Sequence, residues 1–335
     1  MTRTSILIPS YNQARFLEES VGSAINQSGA EEILISDDKS TDSSALVLRE
    51  LMVKDRRVSV AFHDQNQGIP GNIDRGLRAT RGDFVLRLDA DDRLLPDACL
   101  SLAAALDQNP RAGAAHGQVW EINESGARVR QRLLARTPGY QEARVALAES
   151  AKGYRVTANI VMFRRAALVS VNYLADRPSF AEDYHLYAAL AAQGWGNVYV
   201  GADVGEYRNY TNPSRSARKA QELRGLNAVF NDVLKPAFEA AGLPQALLEA
   251  GSRSLSISQA RHLLEVADLP AHQSAELLQL LDSLHPTPWP RLFLTARRCG
   301  LAPAILGAQH FQASTKRMAK KAWIGTRNAI ALARQ

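Results

Sequence analysis

Residues 82–92 run Gly82-Asp83-Phe84-Val85-Leu86-Arg87-Leu88-Asp89-Ala90-Asp91-Asp92. The run predicts a strand over Asp83–Leu88, and it ends in three carboxylates within four positions. Carboxylates this close repel one another unless a cation or hydrogen-bond donors compensate. Oxygen-only groups at that density suit Mg²⁺ or Mn²⁺, which keep open positions for substrate phosphates. The same acids also suit a turn ahead of a helix that begins near Pro96, a good first-turn residue.

Working outward, the first hundred residues alternate short apolar runs with helix-spaced segments. Strands are expected at Ser5–Pro9, Glu32–Ser36 and Arg57–Phe62, and helices over Phe16–Ile25, Ala45–Val53 and Asn72–Ala79. That alternation implies βαβ units around a largely parallel sheet, in which ligands gather beyond the carboxyl ends of the strands. Polar residues fall there repeatedly: Pro9-Ser10-Tyr11-Asn12, then Asp37-Asp38-Lys39-Ser40-Thr41-Asp42, then Asn66-Gln67-Gly68-Ile69-Pro70-Gly71-Asn72, then the acidic cluster. From about 113 to 210 strand and helix candidates mix, with strands at Ala114–Ile122, Asn159–Phe163 and Val198–Tyr207. Beyond Ser214 the pattern is mostly helical, up to the proline-rich linker His285–Pro290.

Composition narrows the class. Of 335 residues, 46% are hydrophobic and 22% charged, which supports a buried core. Cys99 and Cys299 cannot form a disulfide framework or a four-ligand zinc site. The first apolar run is three residues long and ends at Pro9, so no secretory signal is expected. No stretch reaches about 18 strongly apolar residues, so no spanning helix is expected either, and a reducing, cytoplasmic compartment is the expectation. The net charge of +6 belongs to the end of the chain: no acid follows Asp282, whereas nine Lys or Arg lie between Arg291 and Arg334. The preceding 282 residues carry a balance of −3, which argues against nucleic acid as a partner of the main body.

The succession I-L-I-P-S-Y-N, I-L-I-S-D-D-K-S-T-D, N-Q-G-I-P-G-N-I-D-R-G and G-D-F-V-L-R-L-D-A-D-D resembles the inverting family 2 glycosyltransferases of the GT-A fold. The likeness is close over 1–100 and looser to about 210. It implies an α/β fold with a Rossmann-like, mostly parallel central sheet flanked by helices, and a C-terminal helical extension. It divides the chain into a nucleotide-sugar half (1–100), an acceptor half (101–214), a helical extension (215–285) and a basic tail (286–335).

By that resemblance Pro9, Tyr11 and Asp38 contact the base and ribose of a nucleotide-diphospho-sugar, with a UDP-sugar the expected donor. Tyr11 can offer a stacking face, and Asp38 can accept a base N–H. Turn and N-cap chemistry accounts for the Asp37–Asp42 segment as well. Asn66, Gly68 and Asn72 fall where the family lines the donor site, although a tight loop also explains them. Asp89 is implied on the ribose or sugar side, with Asp91 as principal metal ligand beside Asp92, for Mn²⁺ or Mg²⁺.

Downstream, Ser179-Phe180-Ala181-Glu182-Asp183 opens a helix that stops at Gly194. Ser179 and Glu182 have capping-box spacing, and the resemblance makes Asp183 the general base that takes the acceptor proton. His185 is expected to pack, and core packing explains His116 and Trp120 as well as an acceptor role does. The family's Tyr-Arg-X-His segment here reads Tyr207-Arg208-Asn209-Tyr210. A phenol does not replace an imidazole as an ordinary ligand, so Arg208 or Arg215 becomes the candidate for positive charge on the diphosphate.

The expected activity is inverting transfer of a sugar to a glycan or lipid-linked acceptor in cell-surface polysaccharide or glycolipid synthesis. An inactive sugar-nucleotide-binding scaffold is the alternative. A nucleotidyltransferase is disfavoured because Ser10–Arg15 contains no glycine, and a dehydrogenase because no G-x-G-x-x-G follows a strand. Between Ser314 and Arg334, Met318, Ala322, Trp323, Ala329 and Ile330 oppose Lys316, Lys320, Arg327 and Arg334 on a helical projection. That pattern suits adsorption to an anionic inner membrane surface. A homo-oligomer is left open.

Overall fold

A computed structural model describes residues 3–174, 180–210, 218–265 and 270–306. Arg215, Ser179 and the predicted tail helix over 314–334 lie outside the described residues. The chain divides into two compact units, Met1–Gly251 and Ser252–Gln335.

In the first unit the opening strands and helices follow the predicted alternation: β1 Thr4–Ser10, α1 Ala14–Ile25, β2 Ala30–Asp37, α2 Ser44–Lys54, β3 Val58–Phe62, α3 Gly68–Ala79 and β4 Phe84–Arg87. There follow β5 Arg93–Leu94, α4 Ala98–Gln108, β6 Ala112–Ile122, β7 Arg128–Arg132, β8 Gly139–Gln141, α5 Ala143–Ser150, β9 Val161–Arg164, α6 Arg165–Ser170, α7 Glu182–Ala192 and β10 Gly196–Arg208. Helices α8 Lys219–Ala228, a π-turn over Val229–Leu234, and α9 Lys235–Ala240 come next. The helix α10, Gln245–Ala260, contains the division between the units.

Among the described residues one sheet carries all ten strands, in the order β3-β2-β1-β4-β9-β6-β10-β5, with β7 on β6 and β8 on β10. The parallel expectation holds for β3-β2-β1-β4. Past β4 the sheet is mixed: β9 runs antiparallel to both β4 and β6, whereas β6 and β10 are parallel. Antiparallel pairing needs no long crossover, so short connections such as the one that brings in β7 suffice there.

Ile6, Leu7, Ile8, Ile33, Ile35, Phe84 and Leu86 are essentially solvent-free, as sheet residues covered on both faces must be. Each such side chain contributes about 1.5–3 kcal/mol of transfer free energy. Gly76 lets α3 lie directly on β1: a β-carbon there would stand 2.5 Å from Leu7 Cδ1. The α3 helix begins at Gly68, four residues earlier than its apolar spacing predicts, which draws the polar segment Gly68–Asn72 into its first turns.

The second unit is helical where it is described, with α11 His262–Glu265, α12 Ala271–Leu284 and α13 Trp289–Arg298. Among the described residues no helix is long and apolar enough to cross a membrane.

Candidate functional site

The carboxyl ends of β1 and β2 are stitched together by side-chain-to-backbone bonds. Asn12, at φ 53°, accepts the N–H groups of Thr41 at 2.8 Å and Asp42 at 3.3 Å, and its own N–H donates to Ser40 Oγ at 2.9 Å. Asn tolerates the left-handed conformation better than most residues. Beside this knot Pro9 is half-buried and Tyr11 is 46% exposed, so the Tyr11 ring is free to stack on a ligand.

Asp38 is buried. Its Oδ1 accepts from Gln67 N–H at 2.8 Å and its Oδ2 from Gly68 N–H at 2.9 Å, so it serves as the N-terminal cap of α3 from another element. Each carboxylate oxygen keeps a second lone pair. Asn66 is exposed and donates to the Asp38 carbonyl at 3.1 Å. Asn72, expected along the donor site, is instead buried with its amide spent: Nδ2 donates to the carbonyls of Ser36 at 2.9 Å and Ser10 at 3.2 Å, and Oδ1 accepts from Ser36 Oγ at 2.6 Å. It pins β1 to β2, and the site benefits only through the strand ends it aligns.

The acidic cluster sits at the end of β4. Asp89 is half-buried, with Arg87 Nε on Oδ1 at 3.0 Å and Asn159 Nδ2 on Oδ2 at 3.1 Å. Burial, and then the neighbouring Asp89, push Asp91 up to about 6, while the Tyr210 hydroxyl donates a hydrogen bond to its carboxylate. Asp92 is buried; Oδ1 accepts Arg208 N–H at 2.8 Å, and Oδ2 has no hydrogen-bonding partner among the described residues. Burial first, then Asp91 and Asp89, raise Asp92 well above the usual carboxylate range.

Among the described residues no three His, Cys, Asp or Glu side chains form a ready-made cation cage. The donor set fits a hard divalent ion that completes its shell with substrate oxygens and water, with Asp91 as the accessible carboxylate and Asp92 as a buried neighbour with one spare oxygen.

Arg208, a sequence candidate for the diphosphate, is not available to it. Its side chain is wholly buried, with Nε on the Asp91 carbonyl at 2.8 Å, Nη1 on the Glu124 carbonyl at 2.8 Å and Nη2 on Glu19 at 2.7 Å, and its guanidinium lies 4.5 Å from the Phe16 ring centre. The expectation missed this because the partners come from three distant segments. Tyr210, in place of the family histidine, packs 5.7 Å from Phe16 with Arg15 over its ring.

The second acidic pair opens α7. Ala181 is in the left-handed region at φ 61° and is the N-cap, so Glu182 is the first helical residue and not the third position of a capping box begun at Ser179. Glu182 is buried; burial and its hydrogen-bonded neighbour Asp183 push its carboxyl well up. Asp183 is half-buried and lines a small cavity with Arg87, Tyr154 and Asn159.

Arg87 joins the two acidic groups, and the sequence did signal it, as one cation inside the apolar run Phe84–Leu88. His185 is buried within α7, its N–H on the Ala181 carbonyl at 2.8 Å. His116 stacks on Tyr199 at 5.3 Å in the core, while Trp120 Nε1 donates to Asp203 at 2.9 Å.

Residues 5–169 match the family model described as Glycosyl transferase family 2. A stretch of 119 residues is 37% identical to the GalNAc(5)-diNAcBac-PP-undecaprenol beta-1,3-glucosyltransferase of Campylobacter jejuni, covering 35% of this chain and 37% of that protein. The matches span between 37% and 56% of the lengths of three such relatives. The fold is shared with the crystal structure of S. aureus TarS 1–349 in complex with UDP-GlcNAc, with a TM-score of 0.61 at 15% identity over 91% of this chain and 92% of that one. It is also shared with the mannosyltransferase PcManGT of Pyrobaculum calidifontis in complex with GDP-Man and Mn²⁺, with a TM-score of 0.54 at 18% identity over 91% and 86%. Through residues 5–169 the chain belongs to glycosyl transferase family 2.

Proposed function

We propose that the protein transfers a sugar, with inversion, from a nucleotide-diphospho-sugar to an acceptor hydroxyl, and that the donor is a UDP-sugar. The observation that carries the reading is the meeting of two acidic groups, 93 positions apart from Asp89 to Glu182, on one shared buried cation, Arg87. One group ends a parallel strand, where α/β sheets receive nucleotides. The other pairs the buried Glu182 with the half-buried Asp183, which lines the cavity and serves as the proton acceptor in this reading.

In this reading Tyr11 stacks on the base, Asp38 accepts from it through its spare lone pairs, and Asp89 faces the ribose or sugar. Asp91, with Asp92 behind it, would hold Mn²⁺ or Mg²⁺. When bound, the ion supplies positive charge beside the departing diphosphate. Asp183 removes the acceptor proton as the hydroxyl attacks the anomeric carbon from the face opposite the leaving group, so that a single displacement inverts the configuration. A glycan or lipid-linked acceptor of cell-surface polysaccharide or glycolipid synthesis fits the relatives named above.

The test is a nucleotide-release screen with UDP-, GDP- and dTDP-sugars, with and without Mn²⁺, applied to wild type and Asp183→Asn. Transfer should vanish in the variant while UDP binding survives. Undiminished turnover in Asp183→Asn removes that residue from the mechanism.

A further inference from the structure

All four residues of β4 are buried, and Arg87 lies between Leu7 of β1 and Val161 of β9. Such a position is most cheaply filled by an aliphatic side chain. A buried ion pair is often no more stabilising than hydrophobic residues of similar volume, so the strand itself has no need of an arginine. The surroundings of the guanidinium are chemical. Nε donates to Asp89 Oδ1 at 3.0 Å, and Nη2 stands 3.8 Å from Glu182 Oε1, with side chains 8% and 9% exposed in the latter pair. Asp183 and Tyr154 are the other ionisable groups that face it, and both line the cavity Arg87 lines. Asn159, on the same cavity, holds the second oxygen of Asp89.

We propose that Arg87 is a positioning residue for sugar transfer: its buried guanidinium ties Asp89, at the end of β4, to the Glu182–Asp183 pair that opens α7. The proposal rests on the transfer reading given above and adds to it the group that sets the two acidic elements against one another. A planar fork fixed at Asp89 cannot shift toward Glu182 without giving up its 3.0 Å bond, so the strand end and the helix start are held in one arrangement.

The test measures nucleotide release from UDP-sugars, resolved into kcat and KM, beside calorimetric UDP binding. In Arg87→Met kcat should fall by about 100-fold, with UDP affinity kept within a factor of about three. Arg87→Lys, which restores the charge without the fork, should recover only part of kcat.

If Arg87→Met does not fold, the double variant Arg87→Met/Glu182→Gln carries the same measurements against Glu182→Gln alone, because one buried acid has then been removed with the cation. A kcat within a factor of about three of the reference protein, or a loss of UDP affinity as large as the loss of kcat, overturns the proposal. Failure of the wild type to release nucleotide from any donor overturns the transfer reading instead.

Discussion

The Arg208 guanidinium donates to Glu19 Oε2 at 2.7 Å across 189 positions of sequence, from a side chain with no exposure. The bond joins the last residue of β10 to α1, and the remaining donors of Arg208 hold the carbonyls of Asp91, Asn123 and Glu124. The acidic turn after β4 is therefore anchored from behind by a cation that never meets solvent.

Arg208→Met strips these donors from Glu19 and from the carbonyls of Asp91, Asn123 and Glu124. Breaking a buried charge-assisted network costs about 3–5 kcal/mol, and less here because Glu19 is 44% exposed, so a loss of about 2–4 kcal/mol is expected in urea denaturation. A variant as stable as wild type would show that water replaces the network without cost.

Asp91 is raised by burial and by Asp89, which makes it a site that gains from a bound cation. UDP binding measured by calorimetry should tighten with Mn²⁺ in wild type and lose most of that gain in Asp91→Asn. Chelation should bring wild type to the level of the variant. Mn²⁺-enhanced UDP binding that persists in Asp91→Asn would take this residue out of the metal site.

The four motifs, the parallel strands that carry them and the two acidic groups were legible because each is local: an apolar strand that ends in polar residues announces itself within ten positions. What the sequence hid is pairwise and distant. Arg208 was expected on a phosphate because its partners lie on α1 and in the turns after β4 and β6, and nothing within its own segment points to them. Asn72 carries the residue type the donor site requires, but Ser10 and Ser36, 62 and 36 positions away, claim its amide. Antiparallel β9 escaped as well, because its four residues carry no sign of direction.

The pin formed by Asn72 leads to a prediction of its own. Asn72→Ala removes three bonds between buried groups, while the Ser10 carbonyl keeps the Asp38 N–H at 2.9 Å. At about 1 kcal/mol per bond, the loss should be about 2–4 kcal/mol. UDP affinity should fall less than in Asp38→Ala, which frees the Gln67 and Gly68 N–H groups and loosens the start of α3. Equal losses of affinity in the two variants would place Asn72 in direct contact with the ligand.

Acid should destabilise the first unit through His116. The ring is buried in β6 between Tyr199 and Tyr187, at 5.3 and 6.4 Å. Burial, with Arg136 adding repulsion, pushes it down to about 3 from an ordinary value of 6.5. The folded protein therefore keeps His116 neutral, whereas the unfolded chain takes up a proton as the pH falls below 6.5. The unfolded state binds more protons throughout the window from about 6.5 to 3. Stability is thus complete above that window and declines within it at up to about 1.4 kcal/mol per pH unit from this group alone. The variant His116→Phe keeps an aromatic ring against Tyr199 and cannot titrate. Its stability, followed by urea denaturation between pH 7 and pH 4, should fall less steeply than that of wild type, whatever its value at neutral pH. Equal slopes would mean that His116 is protonated in the folded protein, or that the carboxylates dominate the acid response and the buried ring contributes nothing to it.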